Sequence, residues 1–382
     1  MKTALPGRLL KGRAVTYMRT CPHETILLRR ISGILSSNRF YKRSETISLS
    51  KHSMLSYRQE EIAFQNGDTV LAGTLCLPEG SGPFPAVLLL PGAGSMARDG
   101  LGMFPHYWEA FTRRGIATLS WDKPGIGASS GDWTTQSQQE RAEEGVAALN
   151  WLRRRSDIAA DKVGLWGISQ AGQILPLIYT LASEAVAFMI AALVPPDIGD
   201  EQELFRVTNH LLTEGYELTD VDRALAFSKI RLFLQRAQAP YNLVESLQRL
   251  MLQEPWLRDA GIWDQKRYEQ HMHGEAHSDI LSLLKEVRCP FLAVFGERDT
   301  IINGQECARL YTSALKHNPD VTVTTIPQAD HALFLSQTGG FREMDRSFLL
   351  PPEQQSLAPG YLDLITQWVQ QRFILQHEKG AH

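Results

Sequence analysis

The sequence predicts an α/β protein with a mostly parallel central sheet, flanking helices and a helical segment inserted into the sheet domain. Three observations predict this fold. A five-residue apolar run at residues 86–90 is typical of a parallel strand buried on both faces. Strand-like and helix-like segments then alternate along the chain, and the strand pattern is interrupted between residues 199 and 285. The 382 residues suffice for one large domain with an insertion or for two domains.

A hairpin is predicted before the parallel strands. Residues 58–65 and 69–77 read as two strands, and Asn66-Gly67 between them is a dipeptide that tight hairpin turns favour. Further strands are predicted at 116–121, 162–166, 187–194, 291–295 and 321–326. Helices are predicted near 103–114, 138–154, 170–182, 303–316 and 359–375. Strands separated by helices imply right-handed connections within one mostly parallel sheet.

The segment at residues 199–285 is predicted to be a helical cap. Apolar residues recur there with helical spacing at 203–212, 221–238 and 243–252. The α/β core is accordingly predicted to consist of residues 56–198 and 286–382. The apolar stretch at 174–194 contains a proline and a glutamate, so a helix followed by a buried strand explains it better than a membrane span.

The first 55 residues differ in composition from the rest of the chain. Residues 1–53 carry eleven Lys or Arg and two acidic residues, whereas the remainder carries 28 basic and 40 acidic residues. We interpret residues 1–55 as a poorly ordered basic extension or as sequence upstream of a start at Met54, with a targeting or membrane-surface segment as the alternative. No secretory signal is recognised, so a cytoplasmic location is expected. The acidic remainder argues against nucleic acid as a partner.

Neither a metal nor a cofactor is expected. The four cysteines are scattered without a C-x-x-C pair. His271, His273 and His277 cluster in the predicted cap, but their spacing matches no familiar zinc pattern. The glycines that follow the run at 86–90 lack the third glycine of a dinucleotide-binding loop.

Ser169 is the candidate nucleophile. Residues 163–172 read as a buried strand, a sharp turn and a helix start. A turn of this kind exposes the serine hydroxyl and requires small residues two positions before and after the serine. Gly167 and Ala171 meet that requirement.

Ser129 is the alternative nucleophile. It stands in Gly127-Ala128-Ser129-Ser130-Gly131, which fits the G-x-S-x-G pattern more literally than the segment around Ser169 does. This second match follows a turn instead of a strand, and polar loop residues come after it. The context therefore favours Ser169.

With these motifs the chain, from about residue 57 to residue 382, resembles the α/β-hydrolase superfamily, near its dienelactone-hydrolase-like and serine-aminopeptidase-like members. In that fold the catalytic residues follow the chain order serine, acid, histidine. The resemblance implies Asp299 as the acid, in a turn three residues after a strand-ending glycine, with Glu297 as the alternative. It implies His331, in an Asp-His pair after the last strand, as the base. The acid would hold the imidazole while the histidine takes the serine proton.

Two main-chain N–H groups are expected to form an oxyanion hole. One is that of Gln170, directly after the nucleophile. The other is expected in the loop after the 86–90 strand, at Ala93, with Gly94 as the next choice. The family often has histidine before the loop glycine where this chain has Pro91, but the donors are main-chain groups. A second family-like loop at residues 122–127 is interpreted as structural, near the floor of the site.

These residues predict a serine hydrolase that acts on a small-molecule acyl substrate through an acyl-serine intermediate. A carboxylic ester is the first choice, an amide or peptide is second because of the serine-aminopeptidase resemblance, and a thioester is third. A binding protein that has lost catalysis is the alternative from a different class, and the complete triad argues against it. Oligomeric state and physiological substrate stay open at this stage.

Overall fold

A single mixed sheet is the centre of the fold. The computed structural model describes residues 57–197, 199–265, 268 and 279–375. The strands are β1 (Tyr57–Asn66), β2 (Thr69–Pro78), β3 (Phe84–Leu90), β4 (Ala117–Trp121), β5 (Ile158–Ile168), β6 (Met189–Ala192), β7 (Phe291–Gly296) and β8 (Val321–Ile326). Their order across the sheet is β1-β2-β4-β3-β5-β6-β7-β8. The β1–β2 and β2–β4 pairs are antiparallel and the other pairs are parallel, which confirms the predicted fold class.

The strands follow the predicted pattern with one clear difference, at β5. The hairpin turn lies where Asn66-Gly67 predicted it, with Asn66 paired to Thr69. β5 begins at Ile158, four residues before the predicted start. Its first half is partly exposed and its pairing with β3 shifts in register, so polar residues such as Asp161 are tolerated there. That polarity hid the start of the strand.

Helices connect the strands. They are α1 (Phe104–Thr112), α2 (Gln138–Arg153), α3 (Gln170–Ala182), α4 (Asp200–Thr213), α5 (Leu218–Arg236), α6 (Tyr241–Leu250), α7 (Leu257–Ala260), α8 (Ile280–Leu284), α9 (Gly304–Ala314), α10 (Phe341–Phe348) and α11 (Tyr361–Phe373). The sequence did not predict α10, which is short and polar, with Met344 as its buried residue. The apolar stretch at 174–194 forms most of α3 and then β6, as expected. Within the described ranges, no helix is both long enough and apolar enough to cross a membrane.

The two faces of β5 show how helices cover the sheet. Trp166 is fully buried, and its indole N–H donates to the Tyr361 hydroxyl of α11 over 3.0 Å. Successive side chains of a strand point to opposite faces, so Gly167 faces the other layer. There α3 crosses so closely that a Cβ on Gly167 would lie 2.9 Å from the main chain of Ala171. The carboxyl end of β5 is therefore fixed from both sides.

Residues between β6 and β7 form their own hydrophobic clusters. In the described parts of this stretch, 199–265, 268 and 279–290, the chain forms helices and no strand. One cluster joins α4, α5 and α7 around Phe227 and Trp256, and another contains Trp263 and Tyr268. Ile280 of α8 belongs instead to the core cluster of the sheet. The cap boundaries at 199 and 285 stay a prediction, and residues 1–55 and the histidine cluster lie outside the described residues.

Candidate active site

Ser169 occupies a strained turn between β5 and α3. Its backbone has φ 51° and ψ −126°, a conformation that costs an L-residue about 1–3 kcal/mol. The Ser169 N–H donates to the Ala192 carbonyl of β6 over 2.9 Å, which fixes the turn against the sheet. Close packing behind the turn also requires Gly172, because a Cβ there would lie 1.9 Å from Cγ2 of Val194. The strained turn is thus held by main-chain hydrogen bonding and by side-chain packing.

The structure brings Ser169, His331 and Asp299 into one line of hydrogen-bonding contacts. His331 Nε2 lies 3.1 Å from Ser169 Oγ. His331 Nδ1 lies 2.8 Å from Asp299 Oδ2. These three residues stand after β5, β7 and β8, whose carboxyl ends meet at one edge of the sheet. A serine hydroxyl, an imidazole and a carboxylate are therefore in the order that a nucleophile, a base and an orienting acid require.

The Asp299 carboxylate is held by its own loop. Its Oδ1 accepts the N–H groups of Ile301 and Ile302, at 2.8 and 2.9 Å, which leaves Oδ2 for His331. The acid loop can approach the histidine loop because Gly296 has no side chain, since a Cβ there would lie 2.5 Å from the Ala329 carbonyl oxygen. The glycine that identified the acid turn in the sequence thus has a packing function.

The environment of His331 sets its basicity. Its side chain is 13% exposed and that of Asp299 is 1% exposed. Burial lowers the pKa of His331, whereas the charge and hydrogen bond of Asp299 raise it, and the net pKa lies above the usual 6.5. With Nδ1–H donating to Asp299, the Nε2 lone pair faces the Ser169 hydroxyl, as a general base requires.

The two alternative site residues lie in other environments. Ser129 is buried, and its hydroxyl donates to the Asp122 carbonyl over 2.8 Å and accepts the Ala72 N–H over 2.9 Å. Glu297 accepts the N–H of Gln328 over 2.8 Å. Both side chains thus stabilise loops.

The candidate oxyanion segments lie on either side of the turn. Gln170 is the first residue of α3, where main-chain N–H groups have no intrahelical acceptor. In the loop after β3, the Gly92 N–H already donates to Met96 Sδ over 3.2 Å. The amides of Ala93 and Gly94 follow it, and Ala93 is exposed. The assignment of Gln170 and Ala93 as donors stays a prediction.

Sequence reasoning missed several residues that hold these loops. Asp330 is fully buried, and its Oδ1 accepts the N–H groups of Ala332 and Phe334 in the turn after His331. Burial raises the pKa of Asp330 to about 6. Gln202 of α4 reaches the acid loop, where its side-chain N–H donates to the Ile301 carbonyl over 2.5 Å. The Asp-His pair was a visible signal for Asp330, but nothing local in the sequence marked Gln202.

Cysteine is not a competing nucleophile among the described residues. Burial raises the pKa of the thiols of Cys76, Cys289 and Cys307 to about 12. A thiol reacts as its thiolate, so these cysteines are inert at neutral pH.

Comparison with known proteins identifies the family. Residues 66–337, more than half of the chain, match the X-Pro dipeptidyl-peptidase (S15) family. The chain belongs to this family. The match and the sheet topology together show the α/β-hydrolase fold, in agreement with the superfamily that the motifs of the chain resemble.

Relatives of the S15-family chain match it over short stretches. A protein of 31.7 kDa from the traX-finO intergenic region of Escherichia coli is 29% identical over 102 residues, 27% of this chain and 35% of that protein. The esterase FrsA of Salmonella is 41% identical over 75 residues, 20% of this chain and 17% of the esterase. The chain thus spans about a third or less of the length of these relatives.

A solved structure shares the fold. That of DcsB in complex with a substrate analogue has a TM-score of 0.50 and 15% sequence identity, over 84% of this chain and all of that chain. At this identity the likeness shows the fold alone.

Proposed function

We propose that this hydrolase cleaves carboxylic ester bonds through an acyl-serine intermediate on Ser169. The observation that carries the proposal is the continuous contact from Asp299 through His331 to Ser169, with separations of 2.8 and 3.1 Å. The three residues also follow the chain order of the α/β-hydrolase triad.

In the proposed reaction His331 Nε2 accepts the Ser169 proton as Oγ attacks the acyl carbon. The oxyanion that develops is stabilised by the main-chain N–H groups of Gln170 and Ala93. His331 then gives its proton to the leaving group, and the acyl-serine forms. Water, activated by the same imidazole, releases the acid and restores the Ser169 hydroxyl. Asp299 stabilises the imidazolium that forms on His331.

An ester is preferred because its leaving alkoxide departs more easily than an amine, which must be protonated first. The 75-residue match to an esterase supports the same choice. The S15 family name supports amide or peptide cleavage, which is the second candidate. A triad that cleaves amides also cleaves activated esters, so esters are the inclusive choice. We further propose that the helices predicted as a cap shape the acyl pocket, since Gln202 of α4 contacts the acid loop.

A fluorophosphonate probe tests the nucleophile. We expect wild-type protein to be labelled, Ser169→Ala to be unlabelled and Ser129→Ala to be labelled at the wild-type rate. A folded wild-type protein that takes no label would refute the hydrolase mechanism and favour a binding protein. Label that persists in Ser169→Ala would refute the choice of serine.

A substrate panel tests the bond. Unactivated alkyl esters, X-Pro amides and acyl-CoA thioesters would be compared by kcat/KM with wild-type protein, using Ser169→Ala as the blank, because a peptidase would also cleave an activated p-nitrophenyl ester. We expect the highest kcat/KM with an ester. A higher kcat/KM with X-Pro amides than with every ester would replace the ester proposal by the peptidase one.

A further inference from the structure

Arg141 of α2 contacts both segments that carry the candidate oxyanion donors. Its Nη1 donates to the side-chain oxygen of Gln170 over 2.8 Å. Its Nη2 donates to the Pro91 carbonyl over 2.7 Å and approaches the Gly92 carbonyl at 3.5 Å. Residue 141 is 50 positions from Pro91 and 29 from Gln170 in the chain. One guanidinium thus bridges the loop after β3 and the start of α3.

A second basic side chain contacts the same loop. Lys123 is 2% exposed, and its side-chain nitrogen donates to the Gly94 carbonyl over 2.9 Å. The nitrogen lies 5.2 Å from the centre of the Trp133 ring. The Lys123 N–H also donates to the Met96 carbonyl over 3.2 Å. The carbonyls before and after Ala93 are therefore both approached by side chains from outside the loop.

Because the peptide group is planar, the direction of the Gly92 carbonyl determines the direction of the Ala93 N–H. The carbonyl and the N–H of one trans peptide point in opposite directions. The first peptide of the loop shows this, because the Pro91 carbonyl faces Arg141 while the Gly92 N–H faces Met96. The Gly92 carbonyl also faces Arg141, so the Ala93 N–H points away from the guanidinium. Arg141 therefore contacts the carbonyl of the Gly92–Ala93 peptide and does not face the N–H of that peptide.

We propose that Arg141 is a positioning residue for the oxyanion hole, which it holds together with Lys123 by fixing the loop at residues 91–94 against Gln170. The inference rests on the proposed function, since an oxyanion hole has a role only if Ser169 attacks an acyl group. Arg141 acts through main-chain and side-chain groups of its neighbours and touches no reacting atom.

The protonation states of Arg141 and Lys123 allow both side chains to donate to the loop at residues 91–94 at neutral pH. Burial lowers the pKa of Arg141 to about 10, partly offset by Glu144, so the guanidinium stays charged. Burial and repulsion from Arg141 lower the pKa of Lys123 to about 6, and an uncharged amine still donates an N–H. Glu144 is itself buried and accepts the Trp121 indole N–H over 3.4 Å. The planar fork of arginine presents two nitrogens in a fixed geometry to the two segments, whereas lysine has one nitrogen.

The test replaces Arg141 by methionine and measures transition-state binding apart from substrate binding. With p-nitrophenyl butyrate we expect Arg141→Met to lower kcat about 100-fold, as for a displacement of about 1 Å in a catalytic group, with KM within about threefold of wild type. Affinity for an alkyl trifluoromethyl ketone, which forms a tetrahedral adduct on serine, should fall by the same factor. Arg141→Lys should recover part of the loss. The acid limb of the pH–rate profile should not move, because the contacts of His331 are intact.

Arg154→Met is the matched control. Arg154 directly follows the same helix and is exposed, so the same substitution there should leave kcat, KM and ketone affinity unchanged. If Arg141→Met does not fold, Gln170→Met decides, since it removes only the acceptor on the α3 side. We expect it to lower kcat and ketone affinity about tenfold, as for the loss of one hydrogen bond to a charged group.

Two results would overturn the inference. One is Arg141→Met with kcat and ketone affinity within threefold of wild type. The other is Gln170→Met with unchanged ketone affinity. Both differ from failure of the proposed function, in which the wild-type protein itself takes no fluorophosphonate label.

Discussion

The two serine loops of this chain carry nearly the same motif in opposite circumstances. Ser169 lies between a strand and a helix at φ 51°, with its hydroxyl 3.1 Å from an imidazole. Ser129 lies in a turn, with its hydroxyl held by two main-chain groups. A hydroxyl that already serves the main chain has no proton to give to a base. The comparison teaches that the partners of a serine, more than the letters around it, decide whether it can react.

The two loops also differ in what they contribute to stability. The turn at Ser169 stores strain of about 1–3 kcal/mol. The Ser129 hydroxyl instead satisfies a buried N–H and a buried carbonyl, and each such hydrogen bond contributes about 0.5–1.5 kcal/mol. One serine is therefore expected to matter for rate and the other for folding.

The largest difference in kcat should appear when each serine is replaced in turn by alanine. We expect Ser169→Ala to lower kcat by about 10⁶-fold and Ser129→Ala to change it less than threefold. Steady-state rates on p-nitrophenyl butyrate, with active-site titration, would measure both. A rate in Ser169→Ala close to that of wild type would reverse the comparison.

Next in size is the acid that serves the reactive loop. Asp299→Asn should lower kcat by about 10⁴-fold, because the amide favours the wrong imidazole tautomer. Activity requires neutral His331, so it rises with pH through the pKa of this histidine, which lies above 6.5 in the wild type. Without the charge and hydrogen bond of Asp299, burial still lowers the pKa of His331 and the charge of Asp330 alone raises it, so the acid limb should move to lower pH. Glu297→Gln is the control and should keep the wild-type pH–rate profile; an acid limb that does not move in Asp299→Asn would contradict the assignment.

A smaller effect is expected from the glycines two positions before each serine. Gly167→Ala should lower kcat about 100-fold, because its Cβ would press on the main chain of Ala171 and displace the hydroxyl by about 1 Å. Gly127→Ala, at φ 55°, should lower the free energy of unfolding by about 1–2 kcal/mol and leave kcat unchanged. Kinetics together with urea unfolding would separate the two. Equal losses of kcat in both variants would mean that the loops are not distinct.

The smallest effect concerns stability alone. Ser129→Ala should lower the free energy of unfolding by about 1–3 kcal/mol, since it leaves a buried N–H and carbonyl without their partner. Ser169→Ala should change it by less than about 0.5 kcal/mol, because alanine keeps the same backbone strain. Urea titration would measure both values. A Ser129→Ala protein as stable as wild type would show that water or a neighbour replaces the lost hydroxyl.

Local signals predicted the frame of the molecule well. The run at 86–90 and the Asn66-Gly67 turn each describe one element without reference to distant parts of the chain, and both elements lie where expected. The start of β5 and the whole of α10 were missed because their exposed residues are polar and their stability comes from tertiary contacts. Local polarity cannot reveal such contacts.

In the candidate site, too, some residues could be predicted from local sequence and others could not. Ser169, Asp299 and His331 each follow a strand, and the topology of a parallel sheet brings strand ends together. Their hydrogen-bonding contacts were therefore predictable in kind. The contacts of Arg141 with Pro91 and of Gln202 with Ile301 join residues 50 and 99 positions apart, and no motif marks Arg141 or Gln202. Only three-dimensional packing makes these pairs visible.

Gln202 connects helix α4 to the loop that carries Asp299. Its side-chain amide makes two hydrogen bonds to this loop, donating to the Ile301 carbonyl and accepting the Asn303 N–H over 3.3 Å. The same loop supplies the N–H groups that fix the Asp299 carboxylate. The first turn of α4 is thus connected through Gln202 and the acid loop to the carboxylate that contacts His331.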